Sequence, residues 1–212
     1  SLSFGPKVVL KDINVLVKDV TRPGYKQGQV VAFLGPSGIG KSQFSQYLAG
    51  MPEGAATVSG SITINHPPQP VKRGMVGMVD QHYTLFGHRT VWGNLMVAGK
   101  QAKLSYRARK ELAIGYLERF HFKVEDVKKM RPGDLSGGQR QRIAIIQQLM
   151  CSEHYLIMDE PFSGLDIVVK EQAMELIKEL SLLDELNTII VISHDIPSAL
   201  MIADMVWLLG RE

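Results

Sequence analysis

Val30-Val31-Ala32-Phe33-Leu34-Gly35-Pro36-Ser37-Gly38-Ile39-Gly40-Lys41-Ser42 is the stretch on which the fold turns. Five consecutive apolar residues read as a short buried strand, and the glycine-rich segment after them opens a helix near Gly40. Gly35 to Ser42 satisfies G-x-x-x-x-G-K-[ST] in strand–loop–helix context. Glycines let successive backbone N–H groups converge on phosphate oxygens, and the helix start adds its positive dipole end. Lys41 is then expected to reach the β- and γ-phosphates, with the Ser42 hydroxyl ligating Mg²⁺. A chance glycine turn ahead of a lysine would lack the strand and the helix.

Working outward, the last third alternates the two kinds of element. Helices are expected over Gln139 to Met150, Ile167 to Leu183 and Ile196 to Ala203. Strands are expected over Tyr155 to Met158, Thr188 to Ile192 and Met205 to Leu209. Such alternation implies an α/β fold with a mainly parallel sheet flanked by helices. The first third is β-rich, with loose alternation over Val8 to Val20 and strand candidates at Ser61 to Ile64 and Met75 to Val79. Pro67, Pro68 and Pro70 make Asn65 to Lys72 a loop or an edge. Between these parts, Leu104, Ala108, Leu112, Ile114 and Leu117 recur at helical spacing within Val91 to Phe122. The expected organisation is one domain: residues 1–82 and 153–212 as a core with a β subdomain, interrupted by a helical subdomain over 83–152.

The apolar run Tyr155 to Met158 ends in Asp159-Glu160-Pro161. Carboxylates at the C-terminal end of a buried parallel strand lie where α/β sheets bind ligands. Asp159 is placed to hold Mg²⁺, and Glu160 to orient or deprotonate an attacking water. His194 follows the next buried strand, emerges on the same edge, and could hydrogen-bond a γ-phosphate. His66, His82, His88, His121 and His154 are read as structural. Gln81, after the strand Met75 to Val79, either contacts Mg²⁺ or water or merely begins a loop.

Leu135-Ser136-Gly137-Gly138-Gln139 precedes another helix and forms a second anion cradle of free N–H groups and a hydroxyl. Ser136 also fits a plain helix cap, and both uses share one geometry. This half-site belongs to the helical insertion, away from Lys41 and Asp159. Two half-sites for one nucleotide imply completion by another copy of the chain.

Taken together, these elements resemble the ABC-type ATPases, in order and over nearly the whole chain, from Phe4 to Leu209. Ser163-Gly164-Leu165-Asp166 completes the set. The resemblance implies a P-loop NTPase core, an N-terminal antiparallel β subdomain and an inserted α-helical subdomain. It implies ATP hydrolysis in a head-to-tail dimer that sandwiches two ATP molecules. Nucleotide contacts would come from Phe4, Gly35, Pro36, Ser37, Gly38, Gly40, Lys41, Ser42 and Gln43. The partner would supply Ser136, Gly137, Gly138 and Gln139, with Asp166 linking the two sites. Asp159, Ser42 and Gln81 would serve Mg²⁺, Glu160 would be the catalytic base, His194 the switch histidine and Gln81 the sensor. Phe4 matches the aromatic ring that stacks on adenine; Tyr25 is a rival ring, and a hydrophobic plug is the plain reading of Phe4. Gln43 departs from the frequent Thr, while the cation hydroxyl remains that of Ser42.

Composition narrows the use of this engine. The 212 residues are 45% apolar and 21% charged, and 24 basic against 21 acidic residues leave only +3. That charge, with no coiled-coil arms and no second cassette, counts against the alternative of a soluble ABC ATPase acting on nucleic acid or the ribosome. A single cysteine, Cys151, suits a reducing compartment. No apolar run approaches the about 18 residues a spanning helix needs, so any membrane path is expected on another subunit. Leu85-Phe86-Gly87-His88-Arg89-Thr90-Val91, then Asn94-Leu95, resembles ATPase subunits of bacterial importers. Leu85, Phe86, Trp92 and Met96 would offer an apolar groove to a short helix of a membrane subunit, or else pack the insertion's own core. Lys100, Lys103, Arg107, Arg109 and Lys110 read as a solvated helix face, with proximity to anionic lipid as the sharper reading. The expected partners are a second copy or a homologous ATPase subunit, integral membrane permease subunits and a solute-binding protein, without nucleic acid. The expected location is cytoplasmic, peripheral on the inner face of the cell membrane.

Overall fold

The computed structural model describes residues 1–18, 28–52, 54, 56–65, 67–152 and 154–210. Tyr25, most of the segment around it, and His66 lie outside them. In chain order the first part holds β1 (Leu2–Phe4), β2 (Lys7–Leu10), β3 (Gln29–Leu34), α1 (Lys41–Leu48), β4 (Thr57–Val58), β5 (Thr63–Ile64), β6 (Gln69–Pro70) and β7 (Val76–Val79). There follow α2 (Val91–Gln101), α3 (Tyr106–Arg119), α4 (Val124–Val127), a 3₁₀ turn at Pro132–Asp134 and α5 (Gly137–Leu149). The chain closes with β8 (Tyr155–Asp159), α6 (Ile167–Leu182), β9 (Thr188–Ser193), α7 (Ile196–Ile202) and β10 (Met205–Leu208). Two compact units result, one from residues 1–78 and 154–212, the other from residues 79–153.

The first unit is built on a five-stranded sheet of order β10-β3-β9-β8-β7, with β3 parallel to β10 and β9, and β9 parallel to β8. Every residue of β3 is buried, as expected where both faces of a strand are covered. Val31 and Phe33 on one face join Phe44, Ile157 and Ile192 in a core, and the Phe33 ring meets Phe44 edge-on at 5.0 Å. Helix α1 packs on β8 and β9, while α6 and α7 pack on β3 and β9. A small antiparallel sheet, β2-β1-β4, adds Leu2 and Leu10 to that core. The register sets the site: Leu34 lies beside Ser193, and Asp159 beside Ile192, so three strands end at one edge.

The second unit is helical, with α3 and α5 both packed on α2 and on each other. Val91, Leu95, Ala113, Leu117, Ile143 and Ile146 are fully buried.

Several expectations need correction. The strand expected over 8–20 ends at Leu10, and residues 11–18 form no regular element. Asp12 takes a left-handed φ of 51° and its carbonyl accepts from the Asn14 side chain, turn chemistry that overrides loose alternation. The strand expected from Ser61 keeps only Thr63 and Ile64, after Gly60 at φ 102°. The helical pattern of residues 91–122 is two helices, parted by Lys103 at φ 59° and by Ser105, which caps α3. Leu104, counted in the periodic run, precedes that cap. Arg109 is half-buried and not a freely solvated side chain: it packs over Gly99 and donates to the Met96 carbonyl at 3.1 Å.

Candidate nucleotide site

The phosphate loop follows β3 directly. Gly40 caps α1 at φ 99°, and a Cβ there would lie 2.5 Å from Val9 Cγ1, so conformation and space both require glycine. At Gly35 a Cβ would press on the Leu209 carbonyl at 2.9 Å. Neither a side-chain cap nor an acidic residue occupies the first turn of α1, which leaves its N–H groups for an external anion. Pro36, Ser37 and Gly38 lie on the loop and are all exposed, while Gly35 before them is half-buried. Lys41 is buried, and its ammonium donates to the carbonyls of Gly35 at 3.0 Å and Pro36 at 3.2 Å. It also pairs with Glu160 Oε1 at 3.1 Å. Gln43 is half-buried on α1.

Asp159 ends β8 and is buried. Its Oδ2 accepts from the Ser45 hydroxyl at 3.0 Å, while Oδ1 is buried without a hydrogen-bond partner. Burial pushes its carboxyl above the ordinary range, Ser45 pulls it back, and the charge of Glu160 raises it further. A buried, unsatisfied carboxylate oxygen beside the Ser42 hydroxyl is a donor set that fits a hard divalent cation. Among the described residues no group of three or more His, Cys, Asp or Glu could hold a metal unaided.

Glu160 turns out of the strand at a left-handed φ of 52°, a conformation costing about 1–2 kcal/mol for a residue with a Cβ. Its N–H is held by the Ile192 carbonyl at 2.8 Å. The turn aims the carboxylate at the neighbouring strand end. There Oε2 meets His194 Nδ1 at 2.8 Å, the His194 N–H at 3.3 Å and the Ser193 hydroxyl at 3.2 Å. Lys41, Ser42, Asp159, Glu160 and His194, dispersed in sequence, thus meet at one sheet edge. Ser45 and Ser193 join them without belonging to any sequence motif. A polar residue one turn after Lys41, and a hydroxyl at the last position of a strand, are the only local signals they carry.

Phe4 is half-buried in β1 and packs against the core, which satisfies the plain reading of that ring. Asp166 is exposed and caps α6, accepting from the Val169 N–H at 3.0 Å. In the helical unit, Gln81 is exposed just beyond β7. Ser136 caps α5 in a reciprocal box: its hydroxyl accepts from Gln139 N–H at 3.3 Å, and Gln139 Oε1 accepts from Ser136 N–H at 3.0 Å. A capped hydroxyl keeps its own proton to donate. Gly137 and Gly138 face open space.

The segment after Gln81 is pinned by buried Asn94, whose side chain accepts from Phe86 N–H at 2.8 Å and donates to the Phe86 carbonyl at 3.2 Å. Phe86 is left 47% exposed, and Trp92 and Met96 are half-buried. A cavity of about 350 Å³ opens beside Tyr83, Leu85, Pro132 and Arg140. Burial, then the charge of Asp80, raises the Tyr83 phenol. Among the described residues, no helix is long and apolar enough to cross a membrane.

The family model described as ABC transporter matches residues 22–163. The glutamine transport ATP-binding protein GlnQ of Bacillus subtilis is 34% identical over 209 residues, covering 96% of this chain and 81% of GlnQ. The sulfate/thiosulfate import ATP-binding protein CysA of Ralstonia nicotianae is 32% identical over 98% of this chain, which spans only 54% of CysA. Among solved structures, cbiO1 from Clostridium perfringens, part of the ABC transporter complex cbiONQ, superposes with TM-score 0.74 at 29% identity, over 94% of this chain and 77% of cbiO1. A dimeric ATP-binding cassette in a post-hydrolysis state with ADP and Pi superposes with TM-score 0.73 at 25% identity, over 95% of this chain and 86% of that one. The chain belongs to the ABC transporter family.

Proposed function

We propose that this chain is the ATP-binding and ATP-hydrolysing subunit of an importer-type transporter. It would power solute movement through separate membrane permease subunits, fed by a solute-binding protein, from the cytoplasmic face of the membrane. The observation that carries the reading is the meeting of Lys41, Asp159, Glu160 and His194 at the sheet edge beside the phosphate loop. The names of the relatives support transport over action on nucleic acid or the ribosome.

In this reading, the Gly35–Ser42 loop and the open start of α1 bind the phosphates, and Lys41 leaves Glu160 to reach them. Ser42 and Asp159 would hold Mg²⁺, which when bound neutralises charge on the β- and γ-phosphate oxygens. Glu160 Oε1, released by Lys41, takes the proton of the attacking water, while His194 and Ser193 hold Oε2. His194 Nε2, on the far side of the ring from Glu160, is the atom left to meet the γ-phosphate. Ser136, Gly137, Gly138 and Gln139 would complete the partner's site within a head-to-tail dimer, with Asp166 at the junction. Residues 83–152 are proposed as the helical subdomain carrying that element. Gln81 as sensor and Phe4 as adenine platform rest on the family pattern. Leu85, Phe86 and the neighbouring cavity would receive a short helix of a membrane subunit.

The test is Glu160→Gln with ATP and Mg²⁺ in size-exclusion chromatography: a dimer with ATP retained is expected. A variant that stays monomeric at saturating ATP refutes the shared site. Lys41→Ala should weaken nucleotide binding itself. A Ser136 substitution should lower turnover more than it lowers ATP binding to the monomer.

A further inference from the structure

Ser193 is fully buried at the end of β9, and its hydroxyl and carbonyl are both engaged. Its carbonyl accepts from Gly35 N–H, the first residue of the phosphate loop, at 3.2 Å. Its hydroxyl oxygen accepts from Asp195 N–H at 3.0 Å and donates to Glu160 Oε2 at 3.2 Å. A hydroxyl has one proton. With an amide N–H occupying a lone pair and a carboxylate on the other side, that proton is directed at Glu160.

The Asp195 amide is itself fixed. The Asp195 carboxylate caps α7, accepting from Ser198 N–H at 3.1 Å, and pairs with Lys170 of α6 at 2.6 Å. Lys170 lies one turn after Asp166, whose carbonyl accepts its N–H at 2.9 Å. A continuous line of contacts therefore runs from the start of α6 through Lys170, Asp195 and Ser193 to the Glu160 carboxylate. His194 is 48% exposed and meets Oε2 through its ring and its N–H, whereas Ser193 itself is fully buried. Bonds from the Gly35 and Asp195 amides fix Ser193 on both sides and make it the more constant of the two residues that hold Oε2.

We propose that Ser193 is a positioning residue for hydrolysis: anchored by the Asp195 amide, it holds Glu160 Oε2 so that Oε1 faces the attacking water. The inference rests on the reading of Glu160 as the base. Ser193 is fully buried and engaged by Gly35, Glu160 and Asp195, so its loss should act on turnover and not on binding.

The test compares Ser193→Ala, Ser193→Thr and Glu160→Gln in the full chain, by steady-state ATP turnover with Mg²⁺ and by ADP affinity. Ser193→Ala is expected to lower kcat about tenfold, a barrier increase of about 1.4 kcal/mol, with KM and ADP affinity within about twofold of the parent. Ser193→Thr, which keeps the hydroxyl, should retain kcat within about threefold. Unchanged ADP affinity shows that the alanine variant folds, because the Ser193 carbonyl braces the loop that binds ADP. Turnover lost in Glu160→Gln but kept in Ser193→Ala overturns the positioning role alone. Turnover that persists in Glu160→Gln overturns the reading of Glu160, and the positioning role with it. Equal losses in the alanine and threonine variants would show that packing, not the hydroxyl, is what Ser193 supplies, and would also overturn it.

Discussion

Glu160→Gln should tighten ADP binding even though it removes the proposed base. Lys41 Nζ lies 3.1 Å from Glu160 Oε1, and the two side chains are only 6% and 16% exposed. Unit charges at that separation attract by about 5 kcal/mol at an effective dielectric of about 20. Desolvating both ions offsets most of this, leaving about 1–2 kcal/mol that keeps Lys41 on Glu160. ADP has to break this pair to recruit the ammonium. Glutamine keeps the size of the side chain and can still accept from Ser193, but it no longer carries the charge. The affinity for ADP should therefore rise about five- to thirtyfold. The nucleotide-free protein should lose the same free energy, lowering its unfolding temperature by about 2–8 °C. ADP is the proper probe, because it reports the single chain without hydrolysis or ATP-driven dimer closure. Isothermal titration supplies the affinity, and thermal unfolding with and without ADP closes the cycle. In a Lys41→Met background the gain should disappear; a gain that persists comes from anion repulsion by Glu160 and refutes the Lys41 restraint. Equal affinities of parent and variant refute it as well.

Other outcomes follow from single contacts. Gly40→Ala should cost about 2–5 kcal/mol, the sum of a left-handed backbone and overpacking on Val9, whereas Gly38→Ala, at φ 78° in open space, should cost about 1–2 kcal/mol. Urea unfolding measures both, and Val9→Ala should narrow the gap. Asp159→Asn should raise the metal-free unfolding temperature at neutral pH while abolishing Mg²⁺-dependent turnover. A carboxyl raised by burial binds its proton more tightly when folded, so its ionisation works against the fold as pH rises above about 3.9. The stabilisation should accordingly fade in acid; a difference that persists there would trace to packing. The Asp195 carboxyl behaves oppositely: burial raises it, but hydrogen bonds from Lys170 and Ser198 outweigh burial and hold it low. A lowered carboxyl adds stability above its unfolded value of about 3.9, lost as pH falls through the folded value. Lys170→Met should thus cost stability at neutral pH and progressively less below about pH 4, by thermal unfolding across pH.

The parts legible in the sequence are those made by contiguous residues. The phosphate loop is backbone N–H groups, glycine geometry and a helix start, all between Gly35 and Ser42, so its chemistry survives any reading of the rest. The Ser136 capping box closes on Gln139, and the buried runs of β3, β8 and β9 announce a covered parallel sheet by their lack of alternation. Where local signals were weak or conflicting, as at residues 8–20, turn chemistry at Asp12 and Asn14 prevailed over the hydrophobic pattern.

Tertiary structure decided the partnerships. Ser45 reaches Asp159 across 114 residues, and Ser193 reaches Glu160 across 33. Neither serine belongs to a local motif, so nothing nearby in the chain marks it. Their roles arise from strand register, which sets Leu34 beside Ser193 and Asp159 beside Ile192. A shift of one residue would turn every side chain of a strand to the other face of the sheet. By itself, the sequence determined which chemical groups the protein owns and that a phosphate would be held. Only the packed sheet decided that Lys41 rests on Glu160, and that a buried serine holds the far oxygen of that carboxylate.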